Sequence, residues 1–479
     1  MKRKFFSARV KPVQLRRATS PIPQDQLIDE EACPAYNSKN YYPAEPGEVL
    51  ANRYQMLVKI GWGTRSTVWL ARDMTRYSAP LQGSPQFQAS NRRLYRYRWQ
   101  SERFMALKIN NCNLQEANRE RDIEEYIAKQ NPSHRGHEII RSFSESFEVA
   151  GPEGSHLCLA YEPMREPMWL FQRRFKAQRL PLGIVKAYLL VLLAGLDYLH
   201  SECKVVHTGK CSSPVNILDG LSIRLILADL KLENILVTFE DQSVIKDFVE
   251  SQGNMPMQHK TDSTGRTIYR CHNDFGPLRR IKNLPKIADF GLASRFNSQE
   301  DFGIHPIQPD HYRAPEVILG CGWTASADIW NLGVLVWDIV ERTELFSQVH
   351  DAQGRYDSKA HLAEMIALLG SPPKELLAKS NAMLQCEWPY RATNEEGKLC
   401  KNTQEYFGGP FFDQEGKFLH DDLIPDRKLR NTFPSLEEKE REACLSFVSK
   451  MITWLPEERK TARELMEHPF LDLSRRVDD

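Results

Sequence analysis

A single lysine in the middle of an apolar strand is the feature that most restricts how this chain can fold. The run Met105-Ala106-Leu107-Lys108-Ile109 has the composition of a buried strand. An ammonium group in such a strand is costly unless an anion meets it. The run therefore predicts either a sheet in which Lys108 meets a phosphate and a helix carboxylate, or an edge strand from which Lys108 points to water.

A glycine-rich turn lies upstream of this strand. Residues Tyr54 to Ile60 alternate enough to form a strand, and they lead into Gly61-Trp62-Gly63. Two glycines separated by one residue let the backbone turn tightly and bring N–H groups close to phosphate oxygens. Glycine hairpins are common, so the turn alone is a weak signal. With Lys108 downstream, it predicts a phosphate-binding site.

The chain contains three Asp-Phe-Gly triplets, which begin at Asp274, Asp289 and Asp301. A metal-binding aspartate of this kind lies at a strand end, ahead of a segment that ends in Ala-Pro-Glu. Only Asp289 meets both conditions, since Lys286-Ile287-Ala288 predicts a short strand and Ala314-Pro315-Glu316 follows at a suitable distance. We predict that Asp289 is an Mg²⁺ ligand and that the other two triplets are loop sequence.

Two charged residues further along fall where the sequence predicts burial. Asp328 opens an almost entirely apolar helix that runs to Trp337, so its carboxylate requires backbone N–H partners. Arg459 is the candidate partner of Glu316, although a position on a surface helix explains Arg459 equally well. The sequence thus predicts backbone contacts for the buried carboxylate of Asp328, and it makes an ion pair between Glu316 and Arg459 a candidate.

Length and composition restrict the class of protein. The chain has 479 residues, too many for one ordinary domain. Its 64 Lys and Arg residues balance 63 Asp and Glu residues, which argues against a surface built to hold nucleic acid. The longest apolar stretch, Ala187 to Leu196, is about half the roughly 20 residues of a membrane span, so no membrane helix is predicted. The scattered cysteines suit a reducing compartment.

The N-terminus is basic, with no acidic residue before Asp25. We expect residues 1–40 to form a disordered tail, because basic tails are common. A short nuclear-type basic cluster and an organelle transit peptide are the other interpretations. The expected location is the cytoplasm and the nucleus, with mitochondrial targeting as the alternative.

Together these motifs resemble a eukaryotic protein kinase over about residues 54–471, and in finer detail the SR-protein kinase family in its fungal form. The residues that carry the finer resemblance are Tyr41-Tyr42-Pro43, Gly47-Glu48-Val49-Leu50, Gly61-Trp62-Gly63, Ser66-Thr67-Val68-Trp69-Leu70, Val205-Val206-His207-Thr208 and the block from His272 to Leu278. The resemblance implies an α+β fold of two lobes. A β-rich N-lobe is expected over 54–163 and a mainly helical C-lobe over 164–471, with inserts at 209–228 and about 240–284.

The resemblance also implies an activity, in which ATP with Mg²⁺ donates its γ-phosphoryl group to serine in Arg/Ser-rich proteins. The enzyme is expected to be a monomer without a direct nucleic-acid or membrane partner. Asp229 would accept or orient the serine hydroxyl, Lys231 would contact the γ-phosphate, and Asn234 with Asp289 would hold Mg²⁺. The implied ATP-binding residues are Ile60, Gly61, Trp62, Gly63, Thr64, Arg65, Ser66, Thr67, Val68, Lys108, Glu162 and Met164.

The helix carboxylate that pairs with Lys108 is harder to assign. Matching the family pattern at Tyr126-Ile127 places Asp122 where the family carries a glutamate, and Glu125 is the second choice. In the adenine-binding hinge that the resemblance implies, the carbonyl of Glu162 and the N–H of Met164 would meet the base.

The implied catalytic loop is interrupted, because the 20 residues Gly209 to Ala228 separate Thr208 from Asp229. Gly-Lys-Cys can be encoded with a splice-donor sequence, and Ala228-Asp229 with a CAG acceptor. A retained intron or an error in gene assignment is therefore one hypothesis, and a genuine loop insertion is the other. Three functions stay open: an active kinase of SR-type substrates, a catalytically impaired pseudokinase or scaffold, and another basophilic kinase.

Overall fold

The computed structural model describes residues 22–33, 36–75, 102–207, 230–252, 256–296, 301–389 and 391–474. The chain divides into two compact units. Of the described residues, those within 1–121, 143–165 and 239–282 form the first unit, and those within 122–142, 166–238 and 283–479 form the second. The boundaries predicted at 54–163 and 164–471 therefore differ from those of the two units, which meet after residue 165 instead of 163. Residues 122–142 belong to the second unit, and the predicted insert at about 240–284 belongs largely to the first.

The strands of the described residues are, in chain order, β1 Val49–Leu50, β2 Tyr54–Gly63, β3 Ser66–Asp73, β4 Arg103–Asn110, β5 Glu145–Gly151, β6 Gly154–Tyr161, β7 Glu166–Pro167, β8 Val205–Val206, β9 Ile235–Val237, β10 His259–Thr261, β11 Thr267–Tyr269, β12 Pro285–Ile287, β13 Ser294–Arg295, β14 Ala392–Thr393 and β15 Leu399–Cys400. The α-helices are α1 Leu114–Lys129, α2 Met168–Gln172, α3 Leu182–Tyr198, α4 Gln242–Gln252, α5 Pro315–Leu319, α6 Ser326–Val340, α7 Ser358–Leu369, α8 Lys374–Met383, α9 Thr403–Phe407, α10 Glu438–Val448 and α11 Ala462–Leu465.

The first unit is built on an antiparallel sheet of six strands in the order β1-β2-β3-β4-β6-β5. Apolar side chains of this sheet, among them Met56 and Leu70, are buried in one cluster with Val244, Phe248 and Phe275. The last three residues come from the segment that follows the predicted catalytic loop, and we call residues 239–252 and 256–282 the insert. The insert belongs to the first unit because it buries apolar side chains against this sheet.

The N-terminal segment differs from the prediction. We call residues 22–33 and 36–48 the arm. Ile22 and Ile28 of the arm form a small buried cluster with Ile268 of the insert, and Glu30 is 1% exposed. The prediction of a disordered tail over 1–40 is therefore wrong for 22–33 and 36–40, because apolar residues there have a surface to cover. Residues 1–21 lie outside the described residues.

The second unit is mainly helical. Its central helix α6 is buried from Ala327 to Val340, and Trp337 stacks on Phe433 with ring centroids 4.6 Å apart. The stretch Lys176–Cys203, which contains α3, is long and apolar enough by composition to cross a membrane. However, 67% of its most apolar part is buried inside the protein. Such burial is typical of the core helix of a globular protein.

Candidate active site

The glycine-rich turn is a tight hairpin between β2 and β3. Gly63 pairs with Ser66, so Thr64 and Arg65 form the tip of the turn. A Cβ atom on Gly61 would lie 3.3 Å from the Cβ of Val68, which explains why the backbone is glycine at this close approach. The predicted strand and turn are therefore present as the sequence indicates.

Lys108 is a paired lysine within the sheet. Strand β4 has β3 on one side and β6 on the other, with Val68 and Leu159 opposite Lys108. The Lys108 ammonium group forms an ion pair with Glu120 of α1. The alternative of an edge-strand lysine that points to water is therefore wrong, and a helix carboxylate supplies the anion, as predicted.

The carboxylate is not the one that the sequence suggested. Asp122 is exposed, and Glu125 is exposed and forms a surface ion pair with Lys129 at 2.6 Å. Both assignments were wrong because they rested on matching a pattern at Tyr126 instead of on the phase of the helix. Two residues correspond to about 200° of helical rotation, so Asp122 and Glu120 lie on nearly opposite faces of α1.

The sequence did contain a signal for Glu120. Ala117, Glu120, Glu124 and Ile127 are all buried, at spacings of three and four residues along α1. That spacing defines one face of a helix. Because a carboxylate on an apolar face requires a cation, this periodicity marks Glu120 and Glu124 as the candidate partners for a buried lysine.

The predicted hinge follows directly from β6. Tyr161 ends this strand, pairs with Ala106 of β4 and is 1% exposed. After it, Glu162 is exposed and Met164 is buried. The adenine contacts of Glu162 and Met164 stay a prediction.

In the second unit, Asn234 and Asp289 lie at the same end of a pair of strands. Asn234 immediately precedes β9, and one residue, Ala288, separates Asp289 from the end of β12. These strands are antiparallel with Ile235 opposite Ile287, and the Ala288 N–H donates to the Asn234 carbonyl oxygen at 2.9 Å. The pairing therefore places both oxygen-bearing side chains at one edge.

The backbone of Asp289 has a left-handed conformation, with φ of 66°. Few non-glycine residues adopt this conformation, and such residues concentrate at functional sites. On the other side, the Asn234 N–H donates to the carbonyl oxygen of Lys231 at 2.9 Å, so the segment that carries Lys231 is fixed by its own turn.

The other two Asp-Phe-Gly triplets occupy different settings. Asp274 is exposed in the insert and accepts a hydrogen bond from the Gly276 N–H at 3.0 Å, which closes a local turn. Phe302 of the third triplet is 52% exposed. Residues 271–276 and 301–302 have no regular secondary structure, which agrees with the prediction that these two triplets are loop sequence. Phe275, however, has a structural role in the buried cluster of the first unit.

His207 connects three parts of the site. Its ring contacts Phe290 edge-to-face at 4.8 Å, and its Nε2 lies 3.1 Å from the carbonyl oxygen of Ala288. Its backbone N–H donates to Asp328 at 2.8 Å, which is the predicted partner for this buried carboxylate. Burial lowers the pKa of His207, which favours a neutral imidazole that donates from Nε2.

Asp328 is buried but charged. Burial alone would raise the pKa of its carboxyl group, but the hydrogen bonds from His200 and from the His207 backbone N–H hold that pKa below its usual value. The His200 Nε2 atom lies 2.9 Å from Asp328 Oδ2. The carboxylate can therefore serve as a fixed acceptor for the backbone of His207.

Thr208, the 209–228 insertion and Asp229 lie outside the described residues, but both flanks are placed. His207 is bound by Asp328, and the Leu230 carbonyl oxygen accepts a hydrogen bond from Asn331. Asp328 and Asn331 are one turn apart on α6. The two ends of the interrupted loop are therefore attached to the same turn of one buried helix.

The predicted contact between Arg459 and Glu316 is confirmed. Both side chains are 0% exposed, and two hydrogen bonds of 2.6 Å join the guanidinium group to the carboxylate. The alternative of a surface position for Arg459 is wrong. The pair attaches the segment before α11 to the start of α5.

Known proteins are similar to this chain in sequence. A family model described as a protein kinase domain matches residues 278–471. A serine/threonine protein kinase of Aspergillus fumigatus is 32% identical, across 93% of this chain and 91% of the relative. A Physarum polycephalum protein named serine/threonine-protein kinase SRPK is 26% identical, across 92% of this chain and 91% of the relative. Protein kinase dsk1 of Schizosaccharomyces pombe is 27% identical, across 72% and 71% of the two chains.

The fold comparison agrees with the sequence comparisons. A crystal structure of a kinase domain matches with a TM-score of 0.57 at 20% identity, and the match covers 91% of this chain and 100% of that chain. At this identity the match shows the fold alone, and it confirms the predicted two-lobe kinase fold. The chain therefore belongs to the serine/threonine protein kinase family, in which it resembles the SRPK-type kinases.

Proposed function

We propose that this kinase transfers the γ-phosphoryl group of ATP to serine residues in Arg/Ser-rich proteins, in the context of mRNA splicing. The observation that carries the phosphoryl-transfer part is the placement of Asn234 and Asp289 at one end of β9 and β12. The substrate class is supported by the similarity to a protein named SRPK and by the motif residues around Trp62 and His207. The same reasoning proposes a monomeric enzyme of the cytoplasm and nucleus.

The residues fit ATP and Mg²⁺. In the first unit, the Gly61–Val68 turn presents backbone N–H groups and Lys108 presents an ammonium group, both suited to phosphates. In the second unit, Asn234 and Asp289 offer hard oxygen ligands. Among the described residues no group of three or more His, Cys, Asp or Glu could hold a metal. Mg²⁺ commonly binds through one or two protein groups together with substrate phosphates, so this sparse set is appropriate.

Each group has a distinct role in this proposal. Mg²⁺ would neutralise charge that develops on the phosphates. Lys108, held by Glu120, would orient the α- and β-phosphates, and Lys231 would contact the γ-phosphate. Asp229 would accept or orient the serine hydroxyl.

The substrate class can be tested with three peptides of equal length: an Arg-Ser repeat, a Lys-Ser repeat and a Gln-Ser repeat. We expect the Arg-Ser peptide to be phosphorylated with a kcat/KM at least about tenfold above that of the Lys-Ser peptide. The reason is that a planar guanidinium group can donate two parallel hydrogen bonds to one carboxylate, whereas an ammonium group cannot. Equal rates for Arg-Ser and Lys-Ser would favour another basophilic kinase. No phosphorylation of any peptide, even without residues 209–228, would favour a pseudokinase.

The ion pair of Lys108 gives a second prediction. Glu120→Gln should lower kcat/KM about tenfold, or about 1.4 kcal/mol, because a neutral amide holds the ammonium group less firmly than a carboxylate does. The matched control is Asp122→Asn on the exposed face of the same helix, which should leave kcat/KM unchanged. A loss with Asp122→Asn and none with Glu120→Gln would reverse the assignment. Steady-state kinetics with the Arg-Ser peptide measure both variants.

A further inference from the structure

The base of the glycine-rich turn is held by residues far away in the sequence. Lys59 of β2 is 1% exposed, and its ammonium group forms ion pairs with Asp29 at 2.9 Å and with Glu30. It also donates a hydrogen bond to the carbonyl oxygen of Tyr269 at 2.9 Å. Asp29 and Glu30 belong to the arm, and Tyr269 belongs to the insert. A buried cation is tolerated only when it is paired, so Lys59 depends on both segments.

The backbone of Lys59 is also bound by the insert. The His272 N–H donates to the Lys59 carbonyl oxygen at 2.8 Å, and the Lys59 N–H lies 3.1 Å from the sulfur of Met257. The pairing of β2 with β3 shifts register between Lys59 and Gly61. The insert therefore contacts β2 at the irregular point where the strand leads into the turn.

The tip of the turn is held by the arm. The Tyr41 hydroxyl donates a hydrogen bond of 2.6 Å to the carbonyl oxygen of Thr64. The Tyr41 ring is 5% exposed and lies beneath the guanidinium group of Arg266 of the insert, 5.4 Å from the ring centroid. The arm thus reaches the tip as well as the base of the turn, and the insert supports it there.

The hinge is attached to the insert by a buried arginine. Arg165, which follows Met164, forms two hydrogen bonds of 3.1 Å with Glu240, and both side chains are 0% exposed. Arg165 also donates to the carbonyl oxygen of Gly276. The Arg279 N–H donates to Glu240 at 3.2 Å, so Arg165 lies where the two ends of the insert meet.

The arm and the insert are also bound to each other. The Ile22 N–H donates to the His259 carbonyl oxygen at 2.9 Å, and Lys260 forms an ion pair with Glu31 at 2.8 Å, with both side chains largely buried. Ile28 contributes to their shared apolar cluster. Because the two segments bury each other's apolar and charged groups, they act as one structural element, which we call the brace.

We propose that the brace positions the glycine-rich turn and the hinge for nucleotide binding, with Tyr41, Lys59 and Arg165 as its positioning residues. This inference rests on the proposed use of ATP. The brace contacts the turn at its tip and its base, and it contacts the end of the hinge. These contacts limit the conformations that the turn and the hinge adopt before ATP binds. Loosening any of them should weaken ATP binding without changing the binding of the peptide.

Tyrosine-to-phenylalanine exchanges in the arm give the sharpest test. Tyr41→Phe removes only the hydroxyl that binds Thr64, and it should weaken ATP binding about fivefold, the effect of one ordinary hydrogen bond. The matched control is Tyr42→Phe, because the Tyr42 hydroxyl donates to Glu48 at 2.5 Å within the arm and does not touch the turn. Tyr42→Phe should lower the thermal unfolding midpoint about as much as Tyr41→Phe does, because each removes one hydrogen bond. It should leave the affinity for ATP unchanged.

The buried ion pairs give a second test with a rescue. Lys59→Met should weaken ATP binding about tenfold or more, because it leaves Asp29 without this cation and leaves Glu30 with Arg266 at the longer distance of 3.5 Å. The double variant Lys59→Met, Asp29→Asn removes one charge of each sign and should recover most of the lost affinity. Lys246→Met is the control for the loss of a lysine, since Lys246 lies exposed on the insert helix α4.

The measurements are the dissociation constant of a fluorescent ATP analogue with Mg²⁺ and the KM values for ATP and for the Arg-Ser peptide, on the full chain. We expect Tyr41→Phe and Lys59→Met to raise the dissociation constant and the KM for ATP alone. If the full chain binds the analogue and both variants bind it as tightly, the inference is wrong and the proposed function stands. If the wild-type chain and the chain without residues 209–228 both fail to bind the analogue, the proposed function fails and the inference fails with it.

Discussion

Removal of residues 209–228 should raise the turnover of the Arg-Ser peptide at least about a hundredfold, because a catalytic group displaced by about 1 Å already loses that much. The two flanks of the interruption, His207 and Leu230, are bound to Asp328 and Asn331 on one turn of α6. Residues three apart on a helix are separated by about 4.5 Å along its axis. After the deletion only Thr208 and Asp229 connect the flanks, and three Cα–Cα steps span at most about 11 Å.

A deletion of the same size elsewhere provides the control. Removing residues 80–99 shortens the connection between β3 and β4, whose ends are already adjacent because Asp73 pairs with Arg103. This deletion should leave turnover unchanged. Equal turnover of the full chain and the chain without 209–228 would show that the insertion is a tolerated loop. Sequencing the mRNA across residues 200–235 tests the retained-intron hypothesis independently of activity.

The residues that sequence analysis placed correctly have local signals. Asp289 follows a short apolar strand, Asp328 opens an apolar helix, and Glu316 lies in an Ala-Pro-Glu motif. In each case the neighbouring residues establish where the backbone goes and whether the side chain is buried. A charge in such a place requires a partner, and this requirement can be stated before the partner is known.

The residues that were missed depend on helix phase or on contacts between distant segments. Glu120 follows from the buried face of α1, and the assignment to Asp122 failed because that phase was not used. Nothing in the strand around Lys59 marks this lysine as buried and paired. Its hydrogen-bond partner, the carbonyl group of Tyr269, is about two hundred residues away in the sequence. Nothing local to residues 22–33 shows that a cation at Lys59 will draw this segment into the fold. Packing of this kind emerges only when the insert and the arm are folded together.

Asp289→Asn should lower the kcat of Mg²⁺-dependent phosphorylation by about a hundredfold to a thousandfold, the effect of losing a fixed group that stabilises developing charge. The amide keeps one oxygen but loses the negative charge that a hard divalent cation prefers. Asp274→Asn and Asp301→Asn are the matched controls, since they make the same chemical change in the same tripeptide where the backbone has no regular secondary structure. Both should leave kcat unchanged.

The comparison is best made in the chain without residues 209–228, so that the interrupted loop does not hide the effect. Thermal unfolding of each variant distinguishes a loss of catalysis from a loss of fold, which matters because Asp289 holds a left-handed backbone that asparagine also tolerates. If all three variants lost activity equally, the choice of triplet would be wrong. If only Asp289→Asn lost activity, and added Mn²⁺ partly restored it, the side chain at residue 289 would be a metal ligand, because a metal that binds nitrogen and oxygen donors more tightly compensates for a weaker ligand.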